Sequence, residues 1–334
     1  MSEAFLPDGA RATDVAATVK RRLGESVAAI VAAMPVPLER SAGWRTIAER
    51  ILGGGMPRAS VFATYHELVA AVERDDVEAA SRLLDAIDAG LGRAAGPLVV
   101  SWADVPPDDR DLYLRAINAD PTTPVAFGAP DAGTSATGIR TVQEALAALD
   151  AAAPQTAAEI RALLTQIVLV AGTAGSGTRF DGATTFYCWG ALFLNAEEHQ
   201  SLVEMVDGLA HESAHALLYG LALGGPLVTN PVSERHPSPL RRDLRHLDGI
   251  YHATFVSARM HHAHDSLLAR GNLSHEQADE AREGRATSAA AFAAGLRTLR
   301  EHARFTPLGR DLIDSAERYM ETARRAVAEA AESS

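Results

Sequence analysis

TTFYCWGALFLNAEEHQSLVEMVDGLAHESAHALLYG, residues 184–220, is the stretch around which the rest of the chain has to be arranged. Its opening part, 184–195, is rich in β-formers and predicts a strand with Tyr187, Trp189, Ala191 and Phe193 on one face. Asn195 then predicts an N-cap, with Glu198 at the capping-box position, for a helix running to about residue 219. Inside that helix His211, Glu212 and His215 spell H-E-x-x-H. A strand feeding directly into such a helix is the local order that a metal-presenting helix calls for.

The physical content of the motif lies in its spacing. Positions i and i+4 project from one helix face, so His211 and His215 can offer two imidazoles to a single ion. Glu212 lies roughly 100° round the axis and can reach a metal-bound water as a general base. The flanking "LVEMVDGLA" and "ALLYGL" are apolar nearly all round, which predicts a buried helix. Buried imidazoles and a buried carboxylate are costly unless hydrogen-bonded or metal-bound. The competing reading, polar residues on a solvated face, conflicts with that burial.

A metal site needs a third protein ligand. Glu234 stands 19 positions after His215, a spacing used by one branch of zinc peptidases, but Pro231, Pro237 and Pro239 argue against the helix those enzymes need there. The metzincin pattern fails, because Leu218 and Leu221 occupy the places of its glycine and third histidine. The other candidate is His252, in the predicted helix "DGIYHATFVSARMHHAHDSLLAR". Phe255, Val256 and Arg259 follow it at i+3, i+4 and i+7, so one apolar stripe carries a histidine and an arginine. A buried guanidinium clamps an anion, either a bound two-pronged carboxylate or an Asp or Glu from elsewhere in the chain. His261, His262 and His264 point round the other sides of this helix and are expected in solvent. If the 184–195 strand edges a cleft, it could hold an extended peptide by strand addition, with Tyr187 and Trp189 in contact with it.

Working outward, apolar periodicity predicts helices at 11–34, 59–73, 76–91 and 108–117, a Pro/Gly/Ser/Thr-rich loop or boundary at 117–138, and helices at 139–150 and 155–170. The last of these carries Ile160, Leu163, Leu164 and Ile167 on one stripe. The glycines after residue 171 lack P-loop order and predict a flexible connection. A Gly/Pro-rich loop covers roughly 220–246. Helices follow to the C-terminus, one of them opened by the capping pair Ser274 and Gln277 at about 274–303 and another at about 308–331. The expected fold is mainly α with a small β-sheet, α+β in class, similar in its local layout of strand then H-E-x-x-H metal helix to zincins, and without the many short strands of a jelly roll. Two parts are expected: an N-terminal helical region, 1–138, for which peptide docking is a candidate role, and an H-E-x-x-H catalytic domain, 139–334.

Composition sets outer limits. With 334 residues, 47% hydrophobic and 22% charged, the chain can bury a large core. A formal charge of -12 argues against a phosphate-tracking surface, so no nucleic-acid partner is expected. Cys188 is the single cysteine, which excludes an internal disulfide. No leader of signal-peptide type and no apolar run near the roughly 20 residues of a membrane span are present, so a cytoplasmic protein with no membrane partner is expected.

Taken together, "LAHESAH", the block "SPLRRDLRHLDGIYHATFVSARM" and "FTPLGRDLI" resemble a known family across roughly residues 180–315. It is the H-E-x-x-H type of iron- and 2-oxoglutarate-dependent peptide β-hydroxylases found beside ribosomally made peptides in bacteria. The second block is the more diagnostic, since zinc peptidases do not share it. The resemblance implies Fe(II) held by His211, His215 and His252. It implies 2-oxoglutarate as cosubstrate, with its far carboxylate met by Arg245 or Arg259, Arg241 and Arg242 being further candidates, and a precursor peptide as substrate. In that scheme Glu212 orients a ligand or a water. Two other readings stand beside it: a zinc-dependent metallopeptidase with Glu212 as general base, and a non-catalytic peptide-binding helical module.

Overall fold

Helix forms wherever apolar residues recur every three or four positions and a capping side chain starts the run. In the computed structural model, which describes residues 4–35, 38–92, 97–119, 125–172, 180–240 and 243–332, α1 (Gly9–Ala33) buries Val15, Val19, Leu23, Val27 and Val31 and is capped by Asp8. It is followed by α2 (Leu38–Gly53), α3 (Ala59–Glu73), α4 (Val77–Gly90), β1 (Leu98–Ser101), α5 (Pro107–Ile117), β2 (Phe127–Gly128), α6 (Ala132–Ala152) and α7 (Pro154–Leu163). The remaining elements are β3 (Gln166–Gly172), β4 (Gly182–Ala183), β5 (Ala191–Asn195), α8 (Leu202–Leu221), β6 (Arg235–His236), β7 (Arg245–His246), α9 (Leu247–Arg270), α10 (His275–His302) and α11 (Pro307–Glu332). The molecule is thus mainly helical with a small mixed sheet, as the α+β expectation has it.

The sheet runs β1-β3-β5-β4, with β2 added to the far end of β3. β1, β3 and β5 are parallel, with Ile167 opposite Leu192 and Val168 opposite Phe193; β2 and β4 are antiparallel additions. Both faces of the central strands are buried, which is why β3 carries the unbroken apolar run "IVLVA", residues 167–171. Ile167, Leu169, Leu192 and Leu194 face the main core shared with α6 and α8, whereas Val168, Val170, Ala191 and Phe193 face a second cluster with Trp102, Tyr113 and Phe127. That second cluster is aromatic edge-to-face packing, with Phe193 against both Tyr113 and Trp102.

Several expectations need correction. The helix anticipated over 155–170 stops at Leu163, and Ile167 belongs to β3, because a β-branched run flanked by partner strands on both sides gains more as a central strand. The strand expected over 184–195 covers only 191–195. Gly190 takes φ +96°, a left-handed conformation open to glycine, and turns the chain between Trp189 and Ala191. Its carbonyl accepts from the backbone N–H groups of Thr165 and Gln166. The helix after the strand starts at Leu202 rather than Asn195, since Ser201 and Glu204 form the capping box.

The boundary expected at 138 falls inside α6, and one apolar core runs from Phe5 to Met320. Phe5 packs edge-on against Phe255 of α9, and its N–H donates to Ser315 Oγ on α11, so the chain's beginning is part of the same core as the H-E-x-x-H helix. Among the described residues no helix is long and apolar enough to cross a membrane.

Candidate functional site

Asp207, His211, His215 and Tyr219 succeed one another at intervals of four along α8 and line one wall of a cavity of about 860 Å³. The facing wall comes from β7 and the first turns of α9, with Arg245, His246, Asp248 and His252; β4 contributes Gly182. α8 and α9 are long neighbours in contact, so residues separated by the whole 220–246 loop meet across the space.

The three predicted histidines are brought together. His211 Nε2 lies 3.2 Å from His215 Nε2, and His215 Nδ1 lies 3.0 Å from His252 Nδ1. Two nitrogens 3.2 Å apart subtend roughly 100° at an ion bound at about 2.1 Å, an angle that suits a shared metal. His252 is placed differently. Its ring lies within 17° of the His215 plane and meets the opposite nitrogen edge to edge, so His215 is the middle of a three-imidazole chain. Accordingly, among the described residues no group of three His, Cys, Asp or Glu side chains already converges on one ion position. The donor set fits a metal in kind, and His252 joins it only by leaving its hydrogen bond to His215.

Burial holds the His215 pKa well below the usual histidine value, with His211 and His252 adding repulsion. Burial likewise lowers His252, against the opposing pull of Asp248. Both are therefore neutral imidazoles, the form that binds metal. His211 Nδ1 sits 3.3 Å from the Met260 sulfur, which leaves Nε2 toward His215. Glu212 is buried beside this row, Oε1 4.0 Å from His211 Nε2. β4 approaches it closely enough that a Cβ on Gly182 would stand 2.8 Å from Glu212 Oε1, so the edge strand needs glycine there.

Arg245 lines the cavity, its Nε 2.7 Å from Asp243 Oδ2. Arg259 does not. It is buried on another side of α9 in a two-pronged pair with Glu159 of α7, at 2.9 and 3.4 Å, with its guanidinium carbon 5.3 and 5.2 Å from the ring centroids of Phe5 and Phe255. Its anion is Glu159, and it is not among the residues that line the cavity. Arg241 and Arg242 lie outside the described residues.

The predicted substrate contacts are also corrected. Trp189 is fully buried, and its indole N–H donates to the Ala216 carbonyl of α8 at 3.0 Å, so it anchors the strand entry to the back of the H-E-x-x-H helix. Tyr187 is 43% exposed but lies in a single helical turn, edge-on to His66 at 4.8 Å, and does not line the cavity. Nor does Glu234, which accepts from Asn230 and pairs with His236 and Arg304 at the end of α10. His261 and His264, expected in solvent, are buried because α10 and α11 cover those sides of α9; His261 Nδ1 is 3.1 Å from the Tyr319 hydroxyl.

Tyr219 went unnoticed in the sequence, although its four-residue spacing from His215 carried the signal. Its ring lies 5.1 Å from that of His252 and 6.2 Å from that of His215, and burial with the nearby Glu212 and Asp248 charges pushes its hydroxyl pKa up. No protein-family model matches the chain, and no curated protein is significantly similar to it.

Proposed function

We propose that this chain is an iron(II)- and 2-oxoglutarate-dependent oxygenase that hydroxylates the β-carbon of a residue in a ribosomally made peptide. The observation that carries the proposal is the pairing, across one cavity, of the H-E-x-x-H histidines with a third imidazole, His252, and with Arg245, the one guanidinium among the described lining residues. Iron(II) bound with 2-oxoglutarate supplies oxidative decarboxylation of the 2-oxo acid coupled to hydroxylation of a C–H bond. His211, His215 and His252 would hold the metal. Arg245 would bind the far carboxylate, a role its planar guanidinium suits. Tyr219 packs against two of the imidazoles and limits their rotation. Glu212, fixed between α8 and β4, orients a ligand or a water in the cavity.

A second reading, a zinc-dependent peptidase, has one observation in its favour. The antiparallel edge strand β4 borders the cavity beside Glu212, in the zincin-like order of edge strand, central strand and H-E-x-x-H helix. In that enzyme Glu212 would activate water. Anaerobic protein loaded with ferrous iron separates the two. Adding 2-oxoglutarate is expected to give a visible metal-to-ligand charge-transfer band that His252→Ala abolishes and Arg245→Ala weakens. No band, together with tight binding of one equivalent of zinc and loss of peptide hydrolysis in Glu212→Gln, would replace the oxygenase with the hydrolase.

A further inference from the structure

Imidazoles that hold a metal ordinarily give their second N–H to a carboxylate, a backbone carbonyl or a water. His211 turns its own toward sulfur: Nδ1 lies 3.3 Å from Met260 Sδ, which reaches across from α9. A thioether accepts and cannot donate, so the hydrogen sits on Nδ1 and, in the neutral ring, the lone pair sits on Nε2. That assignment runs down the row. His215 Nε2 donates to His211 Nε2 at 3.2 Å, and His215 Nδ1 accepts from His252 Nδ1 at 3.0 Å. One sulfur on α9 thus sets the direction of the whole imidazole row. Met260 is also open to small solutes. It is half-buried and lines the cavity, whereas Met205 on α8 is fully buried and Cys188, buried with its thiol pushed up, is inert.

A thioether differs from the usual acceptors in that a mild oxidant converts it. Hydrogen peroxide passes one oxygen atom to the sulfur, the S–O bond forming as the O–O bond breaks; the thioether is oxidised to a sulfoxide and the peroxide leaves as water. The new oxygen then becomes the acceptor. With an ordinary hydrogen bond of about 2.7–3.2 Å from Nδ1 to that oxygen, the sulfur behind it no longer fits at 3.3 Å. Ring and sulfur have to part, within a packed α8–α9 interface that yields little. We propose that Met260 is an oxidation site that controls the His211 imidazole: its conversion to the sulfoxide by a hydroperoxide displaces the ring from its place beside His215, and with it any metal that the ring holds. The effect on the ring stands on the sulfur–nitrogen contact, and the effect on a metal rests on reading His211 as a ligand.

The test treats the metal-free full chain with hydrogen peroxide and removes the excess with catalase. Peptide mapping is expected to find one added oxygen on Met260 while Met205 stays unmodified. In NMR spectra of protein with isotope-labelled histidine, the imidazole signal that is missing in His211→Ala is expected to move on oxidation, and to stay in place in Met260→Leu treated the same way. Zinc affinity, read by competition with a chromophoric chelator, is expected to fall roughly tenfold or more in the oxidised wild type. Met260→Leu should show no peroxide-dependent change in zinc affinity, and Met260→Gln, which carries a polar acceptor from the start, should bind zinc as weakly as the oxidised protein. Met260 left unoxidised, or a His211 signal that ignores its oxidation, overturns the inference. Zinc binding that needs His211 yet is unchanged or tighter after oxidation overturns it too. A displaced His211 signal in a protein whose zinc binding never needs His211 rejects the metal reading alone and leaves the oxidation site standing.

Discussion

His252 and Arg259 stand about two turns apart on α9, both buried, and the molecule uses them in opposite ways. Arg259 is paired inside the core with Glu159 and lies against two phenylalanine rings, and its one unbonded donor, Nε, is closed off from solvent. His252 faces a cavity and is met by another neutral imidazole, a weak partner that a metal can replace. A buried polar residue thus signals a site only when its partner in the fold is poor. One whose partner is a well-placed opposite charge signals architecture.

The largest expected effect probes the architectural half. Arg259→Ala leaves Glu159 buried without its main partner and should cost about 3–5 kcal/mol in urea denaturation. The fraction still folded should give an unaltered 2-oxoglutarate band. Loss of that band from folded Arg259→Ala protein would break the comparison. Trp189→Ala, also architectural here, should cost a similar ~3–5 kcal/mol through the cavity it leaves behind α8.

The site half is probed by metal binding. His211→Ala and His215→Ala are expected to lose one-equivalent ferrous iron in equilibrium dialysis while remaining as stable as wild type. Glu212→Gln should weaken iron by roughly 10–100-fold, as loss of an orienting partner does. Unchanged iron binding in His211→Ala would place the metal elsewhere.

Acid sharpens the contrast further. His66, His262 and His264 are held down to about 4, each chiefly by burial, and His215 lies well below its ordinary value. These groups are neutral when folded and titrate near 6.5 when unfolded. Their contribution is complete above about pH 6.5 and is lost as the pH falls toward about 4. Asp207 runs the other way: with its carboxyl pushed up to about 7, its contribution is present at low pH and lost as the pH rises through 7. The urea midpoint should therefore fall between pH 7 and 4.5, and fall more steeply in Asp207→Asn. A flat profile would mean that these imidazoles are solvated. The smallest effect is expected at Tyr187→Ala: within about 0.5 kcal/mol in stability, with no change in the 2-oxoglutarate band.

Much of this was open to sequence reading, for identifiable reasons. The i, i+4 rule alone places His211 and His215 on one face, and the apolar flanks of α8 require its burial. Ser274 with Gln277 announces a helix start by short-range hydrogen bonds, and the capping box forms as spaced. Where local signals competed, the outcome lay elsewhere. Ser201 with Glu204 prevailed over Asn195 with Glu198 because Asn195 is taken up at the end of β5, its side-chain amide donating to the Phe180 carbonyl.

What the sequence determined by itself was the mainly helical class, the presence of a small sheet, and the two imidazoles of the H-E-x-x-H helix, all consequences of spacing within one element. Only the tertiary structure decided that Ile167 lies in a strand, that Trp189 backs the site instead of facing it, that Arg259 belongs to Glu159, and that Arg245, Asp207 and Tyr219 share the cavity with His252. Each of those depends on a partner brought in from another element. Periodicity fixes which way a side chain points, but what waits there is settled when the elements pack.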